Sequence, residues 1–201
     1  MKLSRDISKN NQQIFWDKFV ARAAILKTDI DSKNLESVFE AIDNMLQNYG
    51  YDFAFEITTD NDENAILSFS PEGDEKCIIE IDSLIKFKPK NIPGWKIYGR
   101  KQRKHTSDAL LCVKYAYDID IDDTKFKMDE VDDKVDIAMY FSVAESLDID
   151  DSNLVAKTFL WHALGEDYVM FKVNNIIGKS NSWSDEELLS AEELVNLLVS
   201  T

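Results

Sequence analysis

The sequence has few of the residues on which several common kinds of functional site depend. Only two cysteines, Cys77 and Cys112, occur in 201 residues, whereas a disulfide framework or a structural zinc site needs more of them at closer spacing. Six glycines leave little room for the loops that bind phosphates. The two histidines, His105 and His162, are the only candidates for a histidine-dependent base. We therefore expect no cofactor and no metal ion.

Several sequence motifs are also missing. The chain has no H-E-x-x-H zinc motif, no Walker A or G-x-G-x-x-G loop and no G-x-S-x-G elbow. No run of eighteen apolar residues occurs, and the charged N-terminus has no apolar stretch of the kind that signal peptides carry. These absences disfavour familiar enzyme classes and a membrane location, and they favour the cytoplasm.

Basic charge is scarce as well. The chain carries 23 Lys and Arg against 38 Asp and Glu, a formal charge of −15, which repels nucleic acid and anionic membranes. The eleven Phe, seven Tyr and four Trp exclude a chain that is disordered throughout. We expect a globular protein whose partner is another protein, in one form a basic one, in an oligomeric state that the sequence does not define.

Apolar spacing predicts the elements of the first half. Steps of three and four residues indicate helices, whereas strict alternation indicates strands, and Asp31 or Ser32 can cap the second helix. Pro93-Gly94 precedes the last strand. The predicted elements are helices over residues 10–27 and 31–48, strands over 51–58 and 65–69, a helix over 74–87 and a strand over 95–99. This half therefore contains a β-β-α-β unit, preceded by two helices.

The second half is predicted in the same way, with one segment left open. Residues 107–117 fit a short helix capped by Ser107 or, nearly as well, a strand. The remaining predicted elements are strands over 125–128 and 135–141, a helix over 151–165, a strand over 168–173 and a terminal helix capped by Ser184 or Ser190. No internal repeat or linker is evident. We expect one α+β domain over residues 1–201, with a mixed or antiparallel sheet and about ten disordered residues at the N-terminus.

The acidic run over residues 118–123 resembles a calcium loop only superficially. An EF-hand needs Gly at its sixth position and a bidentate Glu at its twelfth, but Asp123 and Asp129 stand there. A similar acidic run, residues 148–151, directly precedes a predicted helix. Both runs are therefore interpreted as capping turns rather than as metal sites.

A basic strip is the most informative feature of the charge pattern. Residues 86–104 hold eight of the 23 basic residues and no acidic residue, which leaves a net charge of −23 for the rest of the chain. The strip could bind an anion or an acidic patch, or it could neutralise neighbouring carboxylates. We expect Lys96, Tyr98 and Arg100 to share one exposed strand face. The candidate binding residues are Lys96, Arg100, Lys101, Arg103 and Lys104.

A weaker candidate site contains His162 and Glu166. They lie four residues apart near a predicted helix end, where a buried carboxyl group could be tuned for acid or base chemistry. A structural role for Glu166 is the alternative. These two residues are the only catalytic candidates that the sequence offers.

Five short motifs resemble an uncharacterised family of small bacterial cytoplasmic proteins. They are Trp16-Asp-Lys-Phe19, the hairpin over residues 53–69, Pro93-Gly94-Trp95, the strand over 135–139 and Leu164-Gly165-Glu166. The resemblance implies an α+β protein with no established activity, and some similar acidic proteins are thought to be immunity or accessory factors. Our first hypothesis is a non-enzymatic interaction protein, in one form an immunity-type inhibitor. The alternative is a small hydrolase or ligand-binding enzyme that uses carboxylates and a histidine.

Overall fold

The computed structural model describes residues 2–180 and 188–199, with the side chains of residues 2–10 omitted. The chain divides into two compact units, Met1–Arg100 and Lys101–Thr201, each with its own hydrophobic core. Both units contain helices and a small mixed sheet, so the predicted α+β class is confirmed. The single domain and the disordered N-terminus remain predictions.

The first unit packs two helices and a crossover helix on a three-stranded sheet. Strand β2 is central; it pairs antiparallel with β1 and parallel with β3, so the predicted β-β-α-β unit is confirmed. The elements are α1 (Lys2–Asp31), α2 (Leu35–Asn48), β1 (Ala54–Thr59), β2 (Ala65–Ser70), α3 (Glu75–Ile85) and β3 (Trp95–Tyr98). Helix α1 runs through Asp31, so neither predicted cap residue begins α2.

Aromatic side chains build the core of this unit. Trp16 is fully buried, and its indole N–H donates to the carbonyl of Leu84 at 2.8 Å. Trp95 donates in the same way to the carbonyl of Ala23 at 2.9 Å. Each indole thus buries its ring while its single polar group is satisfied, which fixes α1 against α3 and β3.

The second unit has a separate sheet in which β5 is central. Strand β5 pairs antiparallel with β4 and parallel with β6. Burial along β5 alternates, with Val135, Ile137 and Met139 buried, as a strand with one face on the core requires. The elements are α4 (Thr106–Tyr117), β4 (Lys125–Val131), β5 (Lys134–Tyr140), a 3₁₀ turn (Ser142–Ser146), α5 (Ile149–Leu164), α6 (Glu166–Lys172), β6 (Val173–Lys179) and α7 (Ala191–Val199).

The two units share one topology. In each, a helix precedes a hairpin, a crossover helix follows, and the third strand pairs parallel with the second strand of the hairpin. The matching series are α2-β1-β2-α3-β3 and α4-β4-β5-α5-β6. The two units therefore have the same order and pairing of elements, although no internal sequence repeat is evident.

The strand predicted over residues 168–173 is wrong. Residues 168–172 belong to helix α6, and the strand begins only at Val173. The run Tyr168-Val169-Met170-Phe171 is apolar throughout, and such a run does not distinguish a buried strand from a short helix by its period. The open segment 107–117 is a helix, in which His105 rather than Ser107 is the N-cap and accepts the Ser107 amide.

Ser190 begins the terminal helix as one of the two predicted caps. Its hydroxyl accepts the Glu193 amide, while the Glu193 carboxylate accepts the Ser190 amide at 2.8 Å, the reciprocal pattern of a capping box. These bonds hold the pKa of Glu193 below its usual value. The other predicted cap, Ser184, lies outside the described residues.

Candidate functional site

The predicted basic strip falls into two parts at the boundary between the units. Residues 86–100 belong to the first unit and residues 101–104 to the second. Its side chains have different environments: Lys96 and Arg103 are exposed, Lys101 and Lys104 are half-buried, and Arg100 is buried. The strip is therefore not one uniformly exposed surface.

The exposed position predicted for Arg100 is wrong. Only 7% of Arg100 is accessible, and its guanidinium donates to Asp82 at 2.9 Å and to the Gly99 carbonyl. Alternation fails here because β3 ends at Tyr98, and Gly99 packs so closely on Ile81 that an added Cβ would lie 3.3 Å from it. Arg100 thus neutralises a carboxylate of its own unit, which is the structural alternative weighed for the strip.

Lys96 is exposed on β3, as predicted, but its side chain already has a partner within the first unit. Its ammonium forms an ion pair with Asp60 in the β1–β2 loop. The hydrogen bond from Lys96, followed by bonds from Asn64, lowers the pKa of Asp60 to about 2, and the same pair raises the pKa of Lys96. The ion pair between Lys96 and Asp60 links the β1–β2 loop to strand β3.

Glu166 lies at the first position of α6 and is fully buried. Its carboxylate accepts the backbone N–H of Lys101 at 3.0 Å, while its own N–H donates to the Lys101 carbonyl at 3.1 Å. A charged group without solvent needs such partners, because burial without them costs several kcal/mol. These two hydrogen bonds between Lys101 and Glu166 attach residues 101–104 to the junction between α5 and α6.

His162 holds the same segment one turn earlier. Its carbonyl accepts the backbone N–H of Lys104 at 2.7 Å, and its Nδ1 lies 3.1 Å from the Lys104 ammonium. The Lys101 ammonium lies 5.0 Å from the centre of the Trp161 ring, a cation–π contact. The structure thus brings the two candidate sets together: His162 and Glu166 are contact residues for Lys101 and Lys104.

Gly165 permits this close approach. Its φ of +85° is relaxed only for glycine, and an added Cβ would lie 3.3 Å from the Arg103 amide nitrogen. The main chain at Arg103 therefore packs directly on the helix junction, while the Arg103 side chain is exposed. Of the five predicted binding residues, only Lys96 and Arg103 are exposed.

Three cavities with volumes of about 290 to 590 Å³ are described, and neither His162 nor Glu166 lines any of them. Two lie beside α4 in the second unit, and one lies between α1, α2 and α3 in the first. A hydrolytic site needs its acid and base beside a cavity that admits substrate. The hydrolase alternative therefore stays a prediction without a supporting contact.

The second unit contains a surface that the sequence reasoning missed. Residues 118–151 hold thirteen acidic and three basic residues, a net charge of −10. All of these carboxylates except the half-buried Asp136 are exposed. They lie in the loop before β4, on β4 and its turn to β5, in the 3₁₀ turn and at the start of α5. We call residues 118–151 the acidic segment. The net charge along the chain is the sequence signal that identifies it.

The predicted capping turns are confirmed. Asp118 is the C-cap of α4 in the left-handed region, and Asp148 is the N-cap of α5, accepting the Asp151 amide at 2.8 Å. Asp120 accepts the Asp122 amide and forms an ion pair with Lys114, which lowers the pKa of Asp120. Within residues 2–180 and 188–199, no cluster of three or more His, Cys, Asp or Glu side chains could hold a metal ion.

In the part of the chain that the structure describes, no helix is both sufficiently long and sufficiently apolar to cross a membrane. Comparisons of the chain with protein-family models, curated proteins and solved structures found no match. The resemblance to a bacterial family stays a prediction.

Proposed function

We propose that the protein is a non-enzymatic interaction protein that binds a basic protein partner through the acidic segment of its second unit. The exposure of twelve of the thirteen carboxylates in this segment carries the proposal. Residues 101–201 contribute −11 of the total formal charge of −15, so the two units differ strongly in charge. The partner is expected to approach the second unit.

Electrostatics gives such a surface a definite role. Exposed carboxylates attract a basic partner over about a Debye length, which is roughly 8 Å at physiological ionic strength, and so raise the association rate. The same charges repel nucleic acid phosphates and anionic lipid headgroups. A cytoplasmic immunity-type inhibitor or accessory factor is the more specific form of this proposal.

Affinity capture with matched charge variants tests the proposal. The full-length chain serves as bait at low and at high ionic strength, and captured proteins are identified and sorted by isoelectric point. Two variants lose three exposed carboxylates each, one from the acidic segment and one from α2. They are Asp129→Asn with Asp132→Asn and Asp133→Asn, and Glu36→Gln with Glu40→Gln and Asp43→Asn.

We expect the wild-type chain and the α2 variant to capture the same basic protein equally at low salt, and the acidic-segment variant to capture less of it. High salt should weaken capture because the long-range attraction is screened. Recovery of no basic protein by the wild-type chain would contradict the proposal. Equal loss by both variants would also contradict it, because total charge rather than this surface would then govern binding.

A further inference from the structure

A groove runs beside α4 in the second unit. Two adjoining cavities of about 590 and 290 Å³ form it, and they share Ser107, Leu110 and Asp122. One wall is α4 and the other is the loop before β4; the start of α7 closes one end. We call this feature the α4 groove.

The helical wall of the groove presents one continuous face. Ser107, Leu110, Leu111 and Lys114 follow the i, i+3, i+4, i+7 spacing that places side chains on one side of a helix. Leu111 is 46% exposed and lines the groove beside Leu110, so this face of α4 offers apolar surface to a partner.

The opposite wall is acidic. Asp120, Asp122 and Asp123 line it, and Glu192 lies at the α7 end. The two lysines of the groove have anionic neighbours: Lys114 lies 2.9 Å from Asp120, and Lys125 interacts electrostatically with Glu193. The groove therefore combines an apolar ridge with an excess of negative charge.

We propose that the α4 groove binds a short, basic, amphipathic helix of the partner protein. Apolar side chains of that helix would pack on Leu110 and Leu111, while its Lys or Arg side chains would face Asp122 and Glu192. This is the helix-in-groove mode of recognition, in which apolar anchors supply affinity and charge supplies orientation. The inference rests on the proposed function, since it gives that function a defined docking site.

The dimensions of the groove agree with this occupant. The face from Ser107 to Lys114 spans seven residues of α4, about 10 Å at 1.5 Å per residue. Two turns of a docked helix have the same length, which accommodates anchors at i, i+3 or i+4, and i+7. The acidic wall distinguishes a basic helix from an acidic one, since like charges across an interface are unfavourable.

Fluorescence anisotropy with a designed probe tests the groove directly. The probe is a labelled synthetic peptide of Leu and Lys, about four helical turns long, with Leu at helical spacing. A control peptide of the same composition has its Leu residues alternating with Lys, so that no apolar helical face can form. The protein is the full chain, either unchanged or carrying Leu111→Ser or Ile149→Ser.

Ile149 is the matched control because it is 69% exposed on α5 and lines neither cavity of the groove. We expect the amphipathic peptide to bind more tightly than its rearranged control. Leu111→Ser should weaken binding by about tenfold, as loss of a central anchor does, whereas Ile149→Ser should leave it unchanged. Circular dichroism confirms that each variant keeps its helical content.

The outcomes separate failure of the groove from failure of the proposed function. If both peptides bind equally and Leu111→Ser has no effect, the groove proposal is overturned, while a charge-driven interaction surface stands. If the wild-type chain binds neither peptide and captures no basic protein, both proposals fall. If sedimentation shows a dimer that Leu111→Ser dissociates, a second copy occupies the groove and the partner-helix proposal is overturned.

Discussion

The backbone of Gly178 in β6 lies directly against the carbonyl group of Ser152 in α5: a Cβ atom added to Gly178 would lie 2.1 Å from that oxygen. The Gly178 N–H also donates to the side chain of Asn153 at 2.9 Å. Because Gly178 has no side chain, α5 and β6 can pack this closely in the second unit.

Gly178→Ala should destabilise the second unit by roughly 2 kcal/mol, because α5 or β6 must shift to relieve the overlap. Gly73→Ala is a useful contrast, since no atom lies within 4 Å of the added Cβ and the cost comes only from its positive φ, about 1 kcal/mol. Urea denaturation followed by circular dichroism measures both. If both variants lost the same free energy of unfolding, α5 and β6 would be able to move apart without an energetic cost.

Arg100→Ser and Arg103→Ser should behave differently. Arg100 is buried against Asp82, so its loss removes a charge-assisted hydrogen bond and should cost about 1 to 3 kcal/mol. Arg103 is exposed, and its replacement should stay within about 0.5 kcal/mol. Separate melting curves of the two variants decide this. A stable Arg100→Ser variant would return Arg100 to the list of binding residues.

Glu166→Ala should destabilise the second unit because the Lys101 amide loses its acceptor in a buried place, at a cost of about 1 to 3 kcal/mol. Glu166→Gln keeps a carbonyl oxygen for that bond and should recover part of the loss. The comparison uses urea midpoints at neutral pH. Unchanged stability of both variants would remove the structural role and favour a chemical one.

Acid should weaken the Lys96–Asp60 pair. The pKa of Asp60 is about 2 in the folded chain against an ordinary value of 3.8, so the native state holds the ionised form more strongly. Its stabilising effect is complete above about pH 4 and is lost as the pH falls towards 2. Lys96→Met should flatten the dependence of the urea midpoint over this range. Lys90→Met, which removes another exposed lysine, should leave it unchanged.

Periodicity predicts most of the elements, because buried and exposed positions alternate clearly in segments such as Val135, Ile137 and Met139. It fails at Tyr168 to Phe171, where an apolar run carries no period. It also fails at Arg100, where the strand has ended and the residue turns inward. Tertiary packing, which has no local sequence pattern, determines that the first segment is helical and that Arg100 is buried.

The candidate site shows the same limit. The spacing of His162 and Glu166 places both near a helix end, but no local pattern identifies Lys101 and Lys104 as their partners. Those contacts join residues about sixty positions apart in the chain, 65 for Lys101 and Glu166 and 58 for Lys104 and His162. Long-range pairs of this kind are created by the fold and leave no local pattern.

The shared topology of the two units has a consequence for folding kinetics. In each sheet the central strand meets one neighbour across a short turn, whereas its parallel neighbour arrives much later: Ala65 pairs with Trp95, and Ile137 with Ile176, at separations of 30 and 39 residues. Closing the longer loop costs more chain entropy and slows folding. In pulse-labelled hydrogen exchange, we expect the amides of both hairpins to gain protection before β3 and β6 dock.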